Sequence, residues 1–130
     1  MTRTAKAIAS AALVAALVGT APGPAHARSG DVTKKGSCSA ASVWKLRLRP
    51  EDGGRIQVEY EVDANRVGEA WRVRIVQNGT RIFAAKRVTK APSGSFTVRL
   101  RTDGAKGTDA FKARAANTST GETCVGRASI

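Results

Sequence analysis

Histidine occurs once in this 130-residue chain, at His26, inside an N-terminal stretch that reads as a removable leader. The chain beyond that leader therefore has no ordinary triad base and no imidazole metal ligand. Cysteine occurs twice, at Cys38 and Cys124, without the Cys-x-x-Cys spacing that lowers a thiol pKa. No glycine turn leads into a helix, so a phosphate-cradling loop is missing. Aromatic residues make up 5% of the chain, too few for the stacking platform that single-stranded nucleic acid needs. No helical stripe, internal repeat or low-complexity tract is visible. Acidic residues are scarce as well: 10 Asp and Glu stand against 22 Lys and Arg, a formal net charge of +12. These shortages point away from an enzyme and from any cofactor or metal, and they make nucleic acid a poor candidate partner.

What is present begins with an address. Arg3 and Lys6 precede an apolar run from Ala7 to Gly19 that is too short to span a bilayer. Pro22 and Pro24 then break any helix, and Ala25-His26-Ala27 supplies a small-x-small cleavage site. Residues 1–27 are expected to be a secretory signal peptide cut after Ala27, without a twin arginine and without a cysteine at the cleavage point. No later apolar run reaches spanning length, so the mature form is expected to be extracellular with no membrane span. Losing 27 of 130 residues leaves 103, enough for one domain; 20 basic residues then face 10 acidic ones, a net charge of +10. In an exported protein the two cysteines most simply form one disulfide, Cys38–Cys124.

A polar N-terminal tail is expected over 28–37 and a single domain over 38–130. Within that domain, alternation of period two recurs. Trp44, Leu46 and Leu48 alternate with Lys45, Arg47 and Arg49; Ile56, Val58, Tyr60 and Val62 alternate with Gln57, Glu59 and Glu61. Trp71, Val73 and Ile75 alternate with Arg72 and Arg74, and the same pattern runs from Phe96 to Arg101 and from Phe111 to Ala115. Gly53-Gly54, Asn78-Gly79, residues 91–94, 103–107 and 117–122 supply turns. A strand after Asn78-Gly79 and one from Thr123 to Ile130 bring the total to seven. This predicts an all-β, immunoglobulin-like or fibronectin-like antiparallel sandwich, ahead of a small closed barrel, with Trp44 and Trp71 buried one from each sheet. The cysteines sit near the chain ends, so the bridge departs from the antibody pattern of linking the second and sixth strands.

The segments "GSCSAASVWKL", "GEAWRVRI" and "TGETC" are placed as in a known group. From the Ala27 cleavage site to Cys124 the chain resembles the small exported β-sandwich proteins of actinobacteria, which have one terminal disulfide and no assigned function. The resemblance implies a fold and a compartment, and brings no catalytic or binding residues with it.

Two features of the strands invite a functional reading. Asn78-Gly79-Thr80 and Asn117-Thr118-Ser119 match a glycosylation acceptor, yet Asn-Gly between apolar runs is the signal of a type I′ hairpin turn, and the turn is the preferred reading. An ideal hairpin would set Ile75 against Ile82 and Arg74 against Phe83. Glu59 and Glu61 share a strand face, but basic neighbours make ion pairing the expected role. In the expected strand order their sheet alternates plus, minus, plus. The other sheet would gather Arg72, Arg74, Arg81, Lys112, Arg114 and Arg127 outward, with Val76, Phe83 and Val125 among them and no carboxylate. Such a face suits an anionic partner: a cell-wall polymer, an acidic glycan or an acidic protein. A loop-mediated protein–protein module, such as an inhibitor or surface-assembly component, is the alternative.

Overall fold

The computed structural model describes residues 30–130 together with Gly19; the leader and the cleavage point after Ala27 lie outside the described residues. Eight strands succeed one another: β1 (Val32–Ser37), β2 (Val43–Glu51), β3 (Arg55–Asp63), β4 (Ala70–Gln77), β5 (Thr80–Val88), β6 (Ser95–Asp103), β7 (Ala110–Asn117) and β8 (Thr123–Ser129). They form two four-stranded antiparallel sheets, ordered β1-β2-β3-β6 and β5-β4-β7-β8. The sheets pack face to face as a β-sandwich, because each strand turns one apolar row inward and one polar row outward. No helix among the described residues is long and apolar enough to cross a membrane.

The seven expected strands are present, and the partition between sheets matches the expected order. The eighth is β1, which replaces most of the polar tail expected over 28–37. Its sequence looks unlike a strand because it lies at a sheet edge and pairs only with β2. Of its six residues only Val32 and Gly36 are even half-buried, and lysines at Lys34 and Lys35 keep the free edge from pairing further. Asp31, just ahead of β1, accepts from both Arg47 and Arg49.

The core is built from inward rows of both sheets: Leu46, Leu48, Ile56, Val58 and Val62 face Val73, Ile75, Phe111, Ala113 and Ala115, all buried. Trp71 is fully buried and meets Phe96 across the sandwich, ring centroids 6.3 Å apart and tilted by 54°. Trp44 comes from the other sheet as expected, but it is only half-buried. It fills the narrow side between β1 and β8, where two glycines make room for its ring. A Cβ on Gly36 would stand 2.6 Å from Trp44 Cζ2, and one on Gly126 would stand 2.6 Å from Cζ3. The missing side chains are thus a steric requirement of the indole.

The same side is clamped twice more. Cys38, in the turn after β1, is bonded to Cys124 on β8, joining one sheet to the other and closing a separation of 86 residues. The Tyr60 hydroxyl on β3 donates to the Cys124 carbonyl at 2.8 Å. Burial pushes the phenol pKa well up, which keeps it a donor. A disulfide points to an oxidising compartment.

Replacing Cys38 and Cys124 together by alanine is expected to cost about 2–5 kcal/mol in denaturant unfolding. Gly126→Ala should cost about 1–3 kcal/mol by overpacking against Trp44, with a change in tryptophan emission that a loss confined to backbone flexibility would not give.

Candidate functional site

Cross-strand register decides which side chains share the outer face of the second sheet. On β4 the outward positions are Arg72, Arg74 and Val76, between the buried Trp71, Val73, Ile75 and Gln77. On β7 they are Lys112, Arg114 and Ala116. Arg74 lies directly opposite Arg114, Val76 opposite Lys112 and Arg72 opposite Ala116. On β8, Val125 stands opposite Arg114 and Arg127 opposite Lys112. Arg72, Arg74, Lys112, Arg114 and Arg127 are all exposed.

The hairpin turn is as expected: Asn78 and Gly79 hold φ of 49° and 83°, and Gln77 faces Thr80. Beyond the turn the register differs from the ideal hairpin. Val76 faces Arg81, but Ile75 faces Phe83 rather than Ile82, because the pairing shifts between Ile75 and Val76. Ile82 is the extra residue of this bulge, and one inserted residue reverses the side to which the rest of β5 points. Phe83 therefore leaves the basic face. It sits half-buried on the inner side with the Arg87 guanidinium 5.1 Å from its ring centroid. Ala84 takes the place opposite Arg74, and Lys86, exposed and opposite Arg72, joins the face. Sequence reasoning missed Lys86; only the two adjacent apolar residues Ile82 and Phe83, where alternation stalls, hinted at it.

The face that results carries Arg72, Arg74, Arg81, Lys86, Lys112, Arg114 and Arg127. No ion pair among the described residues involves any of them. Alanines at 84 and 116 lower its floor, and a shallow depression of about 390 Å³ opens between them, walled by Arg72, Arg74, Lys86 and Arg114.

The outer face of the first sheet uses the same residue types differently. Lys45 lies opposite Glu61, Arg47 opposite Glu59, and Glu59 in turn opposite Arg99. Arg99 reaches Glu59 at 3.3 Å, and Arg101 reaches Glu51 at 2.8 Å. Arg47 is held by Asp31. Charges here alternate and close on one another.

The two ends of the sandwich are also occupied by internal contacts. At the hairpin end, the fully buried Asp109 accepts from Gln77 Nε2 and Asn78 Nδ2, each at 2.9 Å, and from the Ala105 amide at 3.1 Å. Asn78 Oδ1 accepts from the Ala110 amide at 2.8 Å, so both ends of the acceptor-like side chain are engaged. Asn117 is buried as well; its amide group donates to Glu69, and its oxygen accepts from the Ser119 and Thr120 amides. At the opposite end a cleft of about 310 Å³ is lined by Ser42, Arg66, Glu69, Asn117 and Glu122. Glu122 accepts from the Ala40 and Ser42 amides at 3.0 Å and from Ser42 Oγ at 2.7 Å. Burial works to raise its pKa, but the bonds from Ser42 and Ala40 and the charge of Arg66 outweigh it and hold the carboxyl below its ordinary 4.5. No cluster of three or more potential metal ligands occurs among the described residues.

Comparison of the chain with protein-family models, with curated proteins and with solved structures finds no match.

A carboxyl with a lowered folded pKa stabilises the fold above its unfolded value, and that contribution disappears as pH falls through the folded one. The thermal midpoint of the wild type is thus expected to exceed that of Glu122→Gln at pH 7, with the gap closing as pH drops below about 4.5. A gap independent of pH between 7 and 3 would assign the difference to shape rather than charge.

Proposed function

We propose that this protein is a secreted, non-catalytic binding module with an immunoglobulin-like strand arrangement, and that the outer face of its second sheet engages an extracellular polyanion. The strand order, with β2, β3 and β6 in one sheet and β4, β7 and β8 in the other, supports the immunoglobulin-like reading.

The observation that carries the functional reading is the opposition of Arg74 and Arg114 on the two central strands, with no carboxylate on any outward position around them. Like charges directly opposite each other destabilise a sheet. Solubility alone does not require this arrangement, since the first sheet stays just as polar while neutralising itself strand by strand. The second sheet keeps a repulsion that an incoming anion relieves. Arginine predominates over lysine, which favours bidentate contact with phosphate, sulfate or carboxylate groups. A loop-mediated contact has less support, because Glu122 and Glu69 in the end cleft are committed to holding neighbouring loops.

Charge reversal of Arg74 and Arg114 together should abolish retention on an anionic matrix at low salt. The same reversal at Arg47 and Arg99, whose charges Asp31 and Glu59 already offset, should leave most of it. Equal losses from both pairs would mean that net charge alone is responsible. The single change Arg74→Glu should moreover stabilise the fold by about 0.2–1 kcal/mol, by turning a repulsive pair into an attractive one, while it weakens binding.

A further inference from the structure

Six of the seven cations on the outer face of the second sheet fall in one line; the seventh, Arg81, stands apart from it opposite Val76. Lys86 of β5 faces Arg72 of β4; one row on, Arg74 of β4 faces Arg114 of β7; one row further, Lys112 of β7 faces Arg127 of β8. Each pair is displaced from the last by one strand and two residues. The result is a diagonal staircase that crosses all four strands. Three strand spacings and two rows place its ends roughly 20 Å apart, at ~4.8 Å between strands and ~3.3 Å per residue. The positions directly beside the staircase are small or aliphatic: Ala84 and Val76 on one flank, with Arg81 beyond Val76 at the sheet edge, and Ala116 and Val125 on the other.

We infer that this diagonal binds one linear phosphodiester chain with aliphatic linkers, a polyol phosphate, lying obliquely across the sheet. The inference rests on the reading of this face as a polyanion site and specifies its ligand. A line of paired cations matches an extended chain rather than a compact or branched anion. Four of the six cations are arginines, whose planar fork fits phosphate oxygens. The staircase carries no aromatic ring on which a base or a sugar ring would stack. It also carries no acceptor side chain, Asp, Glu, Asn or Gln, of the kind that reads sugar hydroxyls, so a glycan would be gripped through its charges alone. The alanine floor and flanking valines suit the carbon backbone of short acyclic linkers between phosphates, whose hydroxyls can stay turned to water.

The experiment moves charge without changing it. In Arg74→Ala/Ala84→Arg, one arginine passes to the exposed neighbouring strand, so net charge and face are kept while the central step is broken. Binding of synthetic oligo(glycerol phosphate) is measured by calorimetry or fluorescence at fixed salt, with the thermal midpoint confirming that the variant is folded. The swap is expected to weaken binding about tenfold, the loss of one charge-assisted bidentate contact. With the wild type, affinity should climb steeply with chain length until the oligomer spans roughly 20 Å and then level off in affinity per site. For the saturating chain, a log–log salt slope of about −4 is expected if all six cations are neutralised. Unchanged affinity of the swap, or affinity that does not depend on length, overturns the staircase while leaving the polyanion face standing. Tighter binding of a sulfated glycan of equal charge density overturns the phosphodiester assignment. Failure of the wild type to bind any of these polyanions removes the polyanion reading itself.

Discussion

Burial of one face per sheet is the constraint on which the other features depend. Two four-stranded sheets in contact dispose of every inward position, so a chain with a large cationic surplus must place nearly all of it on two outer faces and the edges. The protein treats the two faces in opposite ways. On one, β3 inserts Glu59 and Glu61 between the basic strands β2 and β6, and Asp31 reaches in from the edge. On the other, the charged outward positions of β5, β4, β7 and β8 are all cationic. The division follows mainly from strand order: β3, the acidic strand, belongs to the first sheet and has no counterpart in the second.

Most of the architecture was legible because period-two alternation survives wherever a strand has a buried side. It fails at the edges, for a physical reason. β1 packs little beyond Val32 against the core, and its other inward contact is a glycine under an indole, so its six residues read as a polar tail. The register of the β4–β5 hairpin fails for a different reason. Asn78-Gly79 correctly fixes the turn, but it fixes register only as far as the first irregularity, and the bulge at Ile82 comes three residues past the glycine. That one residue exchanges Phe83 for Ala84 and brings Lys86 onto the face. The candidate site was therefore mostly readable from β4 and β7, whose mutual register holds throughout, and misread on β5. Long-range partners such as Asp31 with Arg47 leave no trace in local pattern.

The closure of the sandwich is similarly uneven. On the side of β1 and β8, a disulfide, a buried tyrosine bond and a tryptophan wedged between glycines act within a few residues of one another. On the side of β5 and β6, the gap is covered by half-buried side chains, Phe83 with its stacked Arg87 and Leu100. The basic face spans both sides, anchored where Arg127 approaches the clamped flank and less tightly held where Lys86 rides on the free edge of β5.

The hydrogen bonds around Asn78 have a chemical meaning beyond geometry. Asparagine followed by glycine is the pair most prone to spontaneous deamidation, because the unhindered glycine nitrogen attacks the side-chain carbonyl carbon, ammonia is expelled as a cyclic imide closes, and water then opens the imide. Here Nδ2 is tied to Asp109 and Oδ1 to the Ala110 amide, so the side chain is held away from the rotation that attack by Gly79 requires. A buried carboxylate in the neighbouring loop thereby acts as a preservative, and the tip of the hairpin that carries Arg81 ages at the rate at which that end of the sandwich opens rather than at the rate of an exposed Asn-Gly pair.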